Sequence, residues 1–151
     1  MKIRVVGPLV LMMTTSLLAD TRGCESSLVA AKDCALLFQG IYVRAGEVRE
    51  VVWPTCNELP EQHVLHAWME YKSLNEDYTP LGRRQAVSRA RPDREGFPVN
   101  VSAGICVEGW YRTTVHVEGY GPADPEHPQG IPFDYTETGY QTHVSAQECD
   151  A

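Results

Sequence analysis

Apolar and polar residues alternate with a period of two in two long stretches of this chain. In residues 63–71, Leu65, Ala67, Met69 and Tyr71 form one wholly apolar row, interleaved with Val64, His66, Trp68 and Glu70. Opposite faces of a strand are lined by alternate residues, so this pattern predicts a half-buried strand in preference to a helix on Leu65, Met69 and Lys72. Residues 110–119 repeat the pattern, with Tyr111, Thr113, Val115 and Val117 against Trp110, Arg112, Thr114, His116 and Glu118. Val and Thr are dense throughout, which again predicts a strand.

Earlier in the chain, Ala35, Leu36, Leu37 and Phe38, continuing through Ile41, Tyr42 and Val43, predict a first strand. Gly46 then permits a turn, and Val48, Val51, Val52 and Trp53 predict a second strand that Pro54 stops. Residues 73–98 carry Pro80, Gly82, Pro92, Gly96 and Pro98 and read as one long polar loop. The proline-rich insert 121–132 suits neither a helix nor a central strand. Phe133, Tyr135 and residues 138–144 predict a last strand pair or one bulged strand, with Gly139 at the bulge. Many short strands, frequent turns and no long amphipathic helix together predict an all-β fold, an antiparallel immunoglobulin-like β-sandwich.

The start of the chain has a different character. Lys2 and Arg4 precede an apolar stretch that ends at Ala19 before the charged Asp20, which predicts a signal peptide over residues 1–19. The stretch is too short and too interrupted to span a bilayer as a stable helix. Residues 20–33 lack a sustained apolar period and read as an irregular N-terminal arm, leaving residues 34–151 as one β-sandwich domain. Loss of residues 1–19 takes Lys2 and Arg4 with it and leaves 11 basic against 20 acidic residues, a net charge of −9. Such a surface repels nucleic acid and anionic membranes, so neither is expected as a partner, and a secreted, extracellular location is.

Export changes the meaning of the five cysteines, Cys24, Cys34, Cys56, Cys106 and Cys149. Outside the cell they are expected to pair, and an odd number leaves one over. Cys56 and Cys106 flank the predicted core strands, so a bridge between them is one expectation, with Cys34 and Cys149 clasping the two ends. Cys24, on the arm, is then the candidate unpaired thiol. A local Cys24–Cys34 loop that leaves Cys149 free is an alternative, and spacing does not choose among the connectivities. No Cys-x-x-Cys pair is present, which disfavours a redox enzyme.

Other chemistry is sparse. His63 and His66 are three apart, so on a strand they point to opposite faces and do not chelate together; no metal and no cofactor is expected. Ser102 and Ser145 lack the Gly-x-Ser-x-Gly context of a nucleophile, and no catalytic residue is assigned. Arg83, Arg84, Arg89, Arg91 and Arg94 fall within twelve residues of an otherwise acidic chain. Their guanidinium forks match carboxylates, which makes them candidates for binding a partner.

The run 106–122, from Cys106 through the Tyr111-Arg112 strand to the Gly121-Pro122 turn, followed by Pro132-Phe133 and Cys149, resembles the C-terminal half of small secreted actinobacterial β-sandwich proteins. In size, export and cysteine content the chain is also similar to the adaptor subunits of the secreted umbrella toxin particles of Streptomyces. That resemblance implies a non-catalytic protein that joins other secreted proteins into a toxin complex, and it carries over no functional residue. The functional expectation is therefore a secreted adaptor rather than an enzyme, with the arm as tether or added strand. The alternative is a secreted inhibitor of a trypsin-like hydrolase acting through the Arg-rich loop.

Overall fold

A computed structural model describes residues 33–81 and 85–151 of the chain. The signal segment, all of the arm but Asp33, Cys24, Arg83 and Arg84 lie outside the described residues. The described part is nearly all β, in two antiparallel sheets that share one apolar core.

The smaller sheet is built around β3 (Glu47–Cys56). β1 (Cys34–Phe38) and β2 (Tyr42–Arg44) pair with successive halves of one edge of β3, and β7 (Val99–Ser102) pairs with the other. A two-residue turn joins β2 to β3, with positive φ at both Ala45 (52°) and Gly46 (70°), the geometry whose twist matches that of a hairpin. The larger sheet is built on the long pair β4 (Gln62–Lys72) and β8 (Gly109–Tyr120). The outer edge of β4 takes β5 (Thr79–Pro80) and β6 (Ala86–Ser88), and that of β8 takes β9 (Pro132–Thr138) and β10 (Thr142–Val144).

Each sheet has a bulged edge. Phe38 pairs with Val52 and Tyr42 with Arg49, so four steps on the β1–β2 edge match three on β3. Likewise Thr138 pairs with Thr114 and Thr142 with Tyr111, again four steps against three, with the break at residues 139–141. One extra residue in each edge bends it and interrupts its ladder, which blunts it as a template for strand addition. The two bulges meet: a Cβ on Gly139 would lie 2.7 Å from the Phe38 ring, so only glycine permits this approach.

Pro54 does not stop β3, contrary to the sequence expectation. It pairs with Leu36, and its missing N–H falls on the edge beyond β7, where a loop passes and Cys56 N donates to Asp93 O (2.9 Å). No ladder bond is lost there, so proline is tolerated. The polar stretch 73–98 is not one loop either, since β5 and β6 lie within it.

Both disulfides differ from the expected Cys56–Cys106 bridge and Cys34–Cys149 clasp. Cys34 bonds Cys56 because the two stand directly opposite each other on β1 and β3. Cys106 bonds Cys149, which a helical turn at Ala146–Cys149 brings to the start of β8. Ser145 opens that turn with a capping box, its Oγ accepting from Glu148 N and Glu148 Oε2 accepting from Ser145 N (2.8 Å). Closing loops of 22 and 43 residues contributes about 3 and about 4 kcal/mol on the chain-entropy model.

The core holds Val48 and Val52 of β3, Leu65, Ala67 and Met69 of β4, Val99 and Val101 of β7, and Tyr111, Val115 and Val117 of β8. Two ionisable groups are buried with them. Glu50 is 1% exposed, and its Oε1 accepts from Gly40 N (3.0 Å), the amide that the first bulge takes out of the ladder. Burial pushes its carboxyl above the usual range, against smaller opposing effects of Thr113 and Gly40. Among the described residues, neither Glu50 Oε2 nor Thr113 Oγ1 completes a hydrogen bond of normal geometry. His63, also 1% exposed and beside Phe133, has no hydrogen-bond partner for either ring nitrogen among the described residues, and burial lowers it to about 4.

Candidate functional site

The outer face of the β4–β8 pair gathers the chain's most versatile side chains. Because alternate residues point outward, the register brings Lys72 opposite Trp110, Glu70 opposite Arg112, Trp68 opposite Thr114 and His66 opposite His116. Glu70 organises the centre of this row. Its Oε2 lies 2.6 Å from Arg112 Nε and its Oε1 accepts from Trp68 Nε1 at 3.4 Å.

Tyr78, from the β4–β5 connection, folds over the same place. Its ring centroid lies 3.9 Å from the Arg112 guanidinium carbon and 4.8 Å from Lys72 Nζ, so one aromatic ring meets two cations. Its hydroxyl donates to Gln141 Oε1 at 2.9 Å, and burial pushes the phenol up. Beside it, Trp110 and His143 make an edge contact at 5.2 Å. A shallow cleft of about 300 Å³ opens between Trp68, Glu70, Pro80, Leu81 and Gln85. Trp68, Tyr78, Trp110 and Arg112 are all half-buried, which leaves part of each ring or guanidinium for a further contact.

This face is rigid. The long β4–β8 ladder fixes the Cα positions of every residue in the row. The 106–149 disulfide and the Tyr111 hydroxyl hold the start of β8, the hydroxyl donating to Val107 O (2.8 Å) and accepting from Val107 N (3.0 Å). Chemically the row offers aromatic surface, two cations and hydrogen-bonding groups. It presents no activated nucleophile.

Compared with family models, curated proteins and solved structures, the chain matches none.

Of the arginines proposed from the sequence, the described ones, Arg89, Arg91 and Arg94, lie elsewhere. Arg89 is exposed. Arg91 Nε donates to Pro60 O and its guanidinium stands 4.0 Å from Glu61, while Arg94 Nε donates to Asn57 O at 2.9 Å. Arg91 and Arg94 thus pin their loop to the turn between β3 and β4. Ser102 donates to Glu47 Oε2 (3.0 Å) and Ser145 caps the helical turn, so both serines have structural partners. His63 and His66 do point to opposite faces, one buried and one half-exposed. Among the described residues no helix is long and apolar enough to cross a membrane, and two disulfides fit an oxidising compartment.

The outer row was visible in the sequence only as the polar half of two alternations. Its cross-strand neighbours depend on the β4–β8 register, and Tyr78 and Gln141 reach it from connections whose path no periodicity reveals.

Proposed function

We propose that the chain is a secreted, non-catalytic adaptor that binds other secreted proteins through the outer face of β4 and β8. The observation that carries this reading is the half-exposed set of Trp68, Tyr78, Trp110 and Arg112 on one rigid ladder. Trp, Tyr and Arg dominate the energetics of protein interfaces, because they combine large area with a polar handle and few rotamers to freeze. A net charge of −9 after loss of residues 1–19 favours a basic or amphipathic partner.

An immunoglobulin-like sandwich is the fold we assign. Its support is two antiparallel sheets on one core and a buried tyrosine whose hydroxyl bonds back to the backbone four residues upstream. The Arg-rich loop is a weaker partner site, since Arg91 and Arg94 are engaged internally.

Affinity capture from the producing culture medium tests the reading. Tagged wild-type chain should recover a partner, Trp68→Ala with Arg112→Ala should lose at least about tenfold of it, and Leu37→Ser, on the opposite sheet, should retain it. Equal recovery by all three overturns the assignment of the face.

A further inference from the structure

At the other end of the same face, four side chains on three adjacent strands have the makings of a metal site. His116 and Glu118 lie two apart on β8 and point the same way, Asp134 on β9 stands directly opposite Glu118, and His66 on β4 stands directly opposite His116. The ligand atoms of His116, Glu118 and Asp134 all fall within 4.8 Å of one another, and His116 Nε2 is 2.8 Å from Asp134 Oδ1.

We propose that these residues bind a divalent ion of the zinc class, with His116, Glu118 and Asp134 as primary ligands and His66 as the fourth. One observation besides the clustering points to a cation, and another places a further imidazole beside it. Glu118 and Asp134 are like charges directly opposite each other on neighbouring strands, an arrangement that destabilises a sheet unless positive charge lies between them. The imidazoles of His66 and His116 face each other with centroids 6.2 Å apart and planes 25° from parallel. An imidazole binds a metal in its own ring plane, so His66 joins as fourth ligand only by turning out of this near-parallel arrangement, which makes its contribution the smallest of the four.

Ligand chemistry selects the metal. Imidazole with carboxylate suits zinc and its first-row neighbours, whereas magnesium and calcium prefer all-oxygen shells. Asp134 is 72% exposed and His116 33% exposed along their side chains, so an ion reaches the site from solvent and the carboxylates are free to close on it. Along one strand, His63 and His66 point to opposite faces and cannot share an ion. The pairing that matters here is across strands. The site shares no residue with the set Trp68, Tyr78, Trp110 and Arg112 that carries the adaptor reading, so its failure leaves that reading standing.

Calorimetric titration of the disulfide-bonded chain with zinc chloride tests the proposal, with magnesium and calcium chloride as controls and folding of each variant checked by its melting temperature without metal. One zinc per chain should bind in preference to both controls. His116→Ala and Asp134→Asn should each weaken binding at least about tenfold, His66→Ala less, and His143→Ala, on the same face outside the set, not at all. No saturable zinc binding, equal binding of magnesium or calcium, or binding that survives His116→Ala overturns the site.

Discussion

Along β4 and β8, Leu65, Ala67, Met69, Tyr111, Val115 and Val117 are buried, while His66, Trp68, Glu70, Arg112 and His116, on the outward side, stay half-exposed. The backbone is shared, and so is the ladder that orders it. The inner row spends its side chains on filling the space between sheets, where shape and volume matter. The outer row spends them on aromatic, ionic and imidazole groups arranged by cross-strand pairing, where the neighbours are one another and solvent. Stability therefore resides on one side of these strands and recognition on the other, and substitutions on the two sides should separate the two properties.

The widest separation is between Leu65, which is fully buried, and Trp68. Leu65→Ala should cost about 2–5 kcal/mol through lost burial and the cavity left behind. Trp68→Ala should cost about 1 kcal/mol, despite removing the larger side chain. Urea denaturation of both variants measures the difference, and equal costs would erase the distinction between the faces.

Next in size are the two ionisable groups on the inner side, which should respond to pH in opposite directions. His63 has its folded value lowered from 6.5 to about 4, so the unfolded chain takes up the proton first. Stability is fully present above 6.5 and falls as pH drops through the folded value, by about 3 kcal/mol in all. Glu50 has its folded value raised from 4.5, so the folded chain holds the proton longer and stability falls as pH rises from 4.5 through the folded value. A pH series of denaturation midpoints should show His63→Leu flattening the acid limb and Glu50→Gln the opposite one.

The smallest expected effect belongs to the outer row. The Glu70–Arg112 pair is short at 2.6 Å but partly exposed, so a double-mutant cycle should return a coupling of about 0.2–1 kcal/mol. A coupling several times larger would mean that this face also serves stability.

The long strands were legible because their alternation is complete: Leu65, Ala67, Met69 and Tyr71 form an unbroken apolar row that favours a strand over a helix on Leu65, Met69 and Lys72. The bulge at Gly139 was legible too, for a glycine inside an apolar and β-branched run signals one. β5, β6 and β7 were not, since two to four residues at a sheet edge carry too few apolar positions to show a period. Pro54 was misread because its effect depends on which edge its missing donor faces. Disulfide pairing was beyond the sequence for the same kind of reason, as Cys34 meets Cys56 only through the β1–β3 register. The candidate face suffered most, because its key neighbours are far apart in sequence, Glu70 and Arg112 by 42 residues and Tyr78 and Gln141 by 63.

Hydroxyl-radical footprinting of the chain, free and in complex with a captured partner, tests the central claim most directly. Protection of Trp68, Tyr78 and Trp110 on binding, with Trp53 of the opposite sheet unchanged, is the result the account predicts. Protection of Trp53 with Trp68, Tyr78 and Trp110 still fully reactive would contradict it.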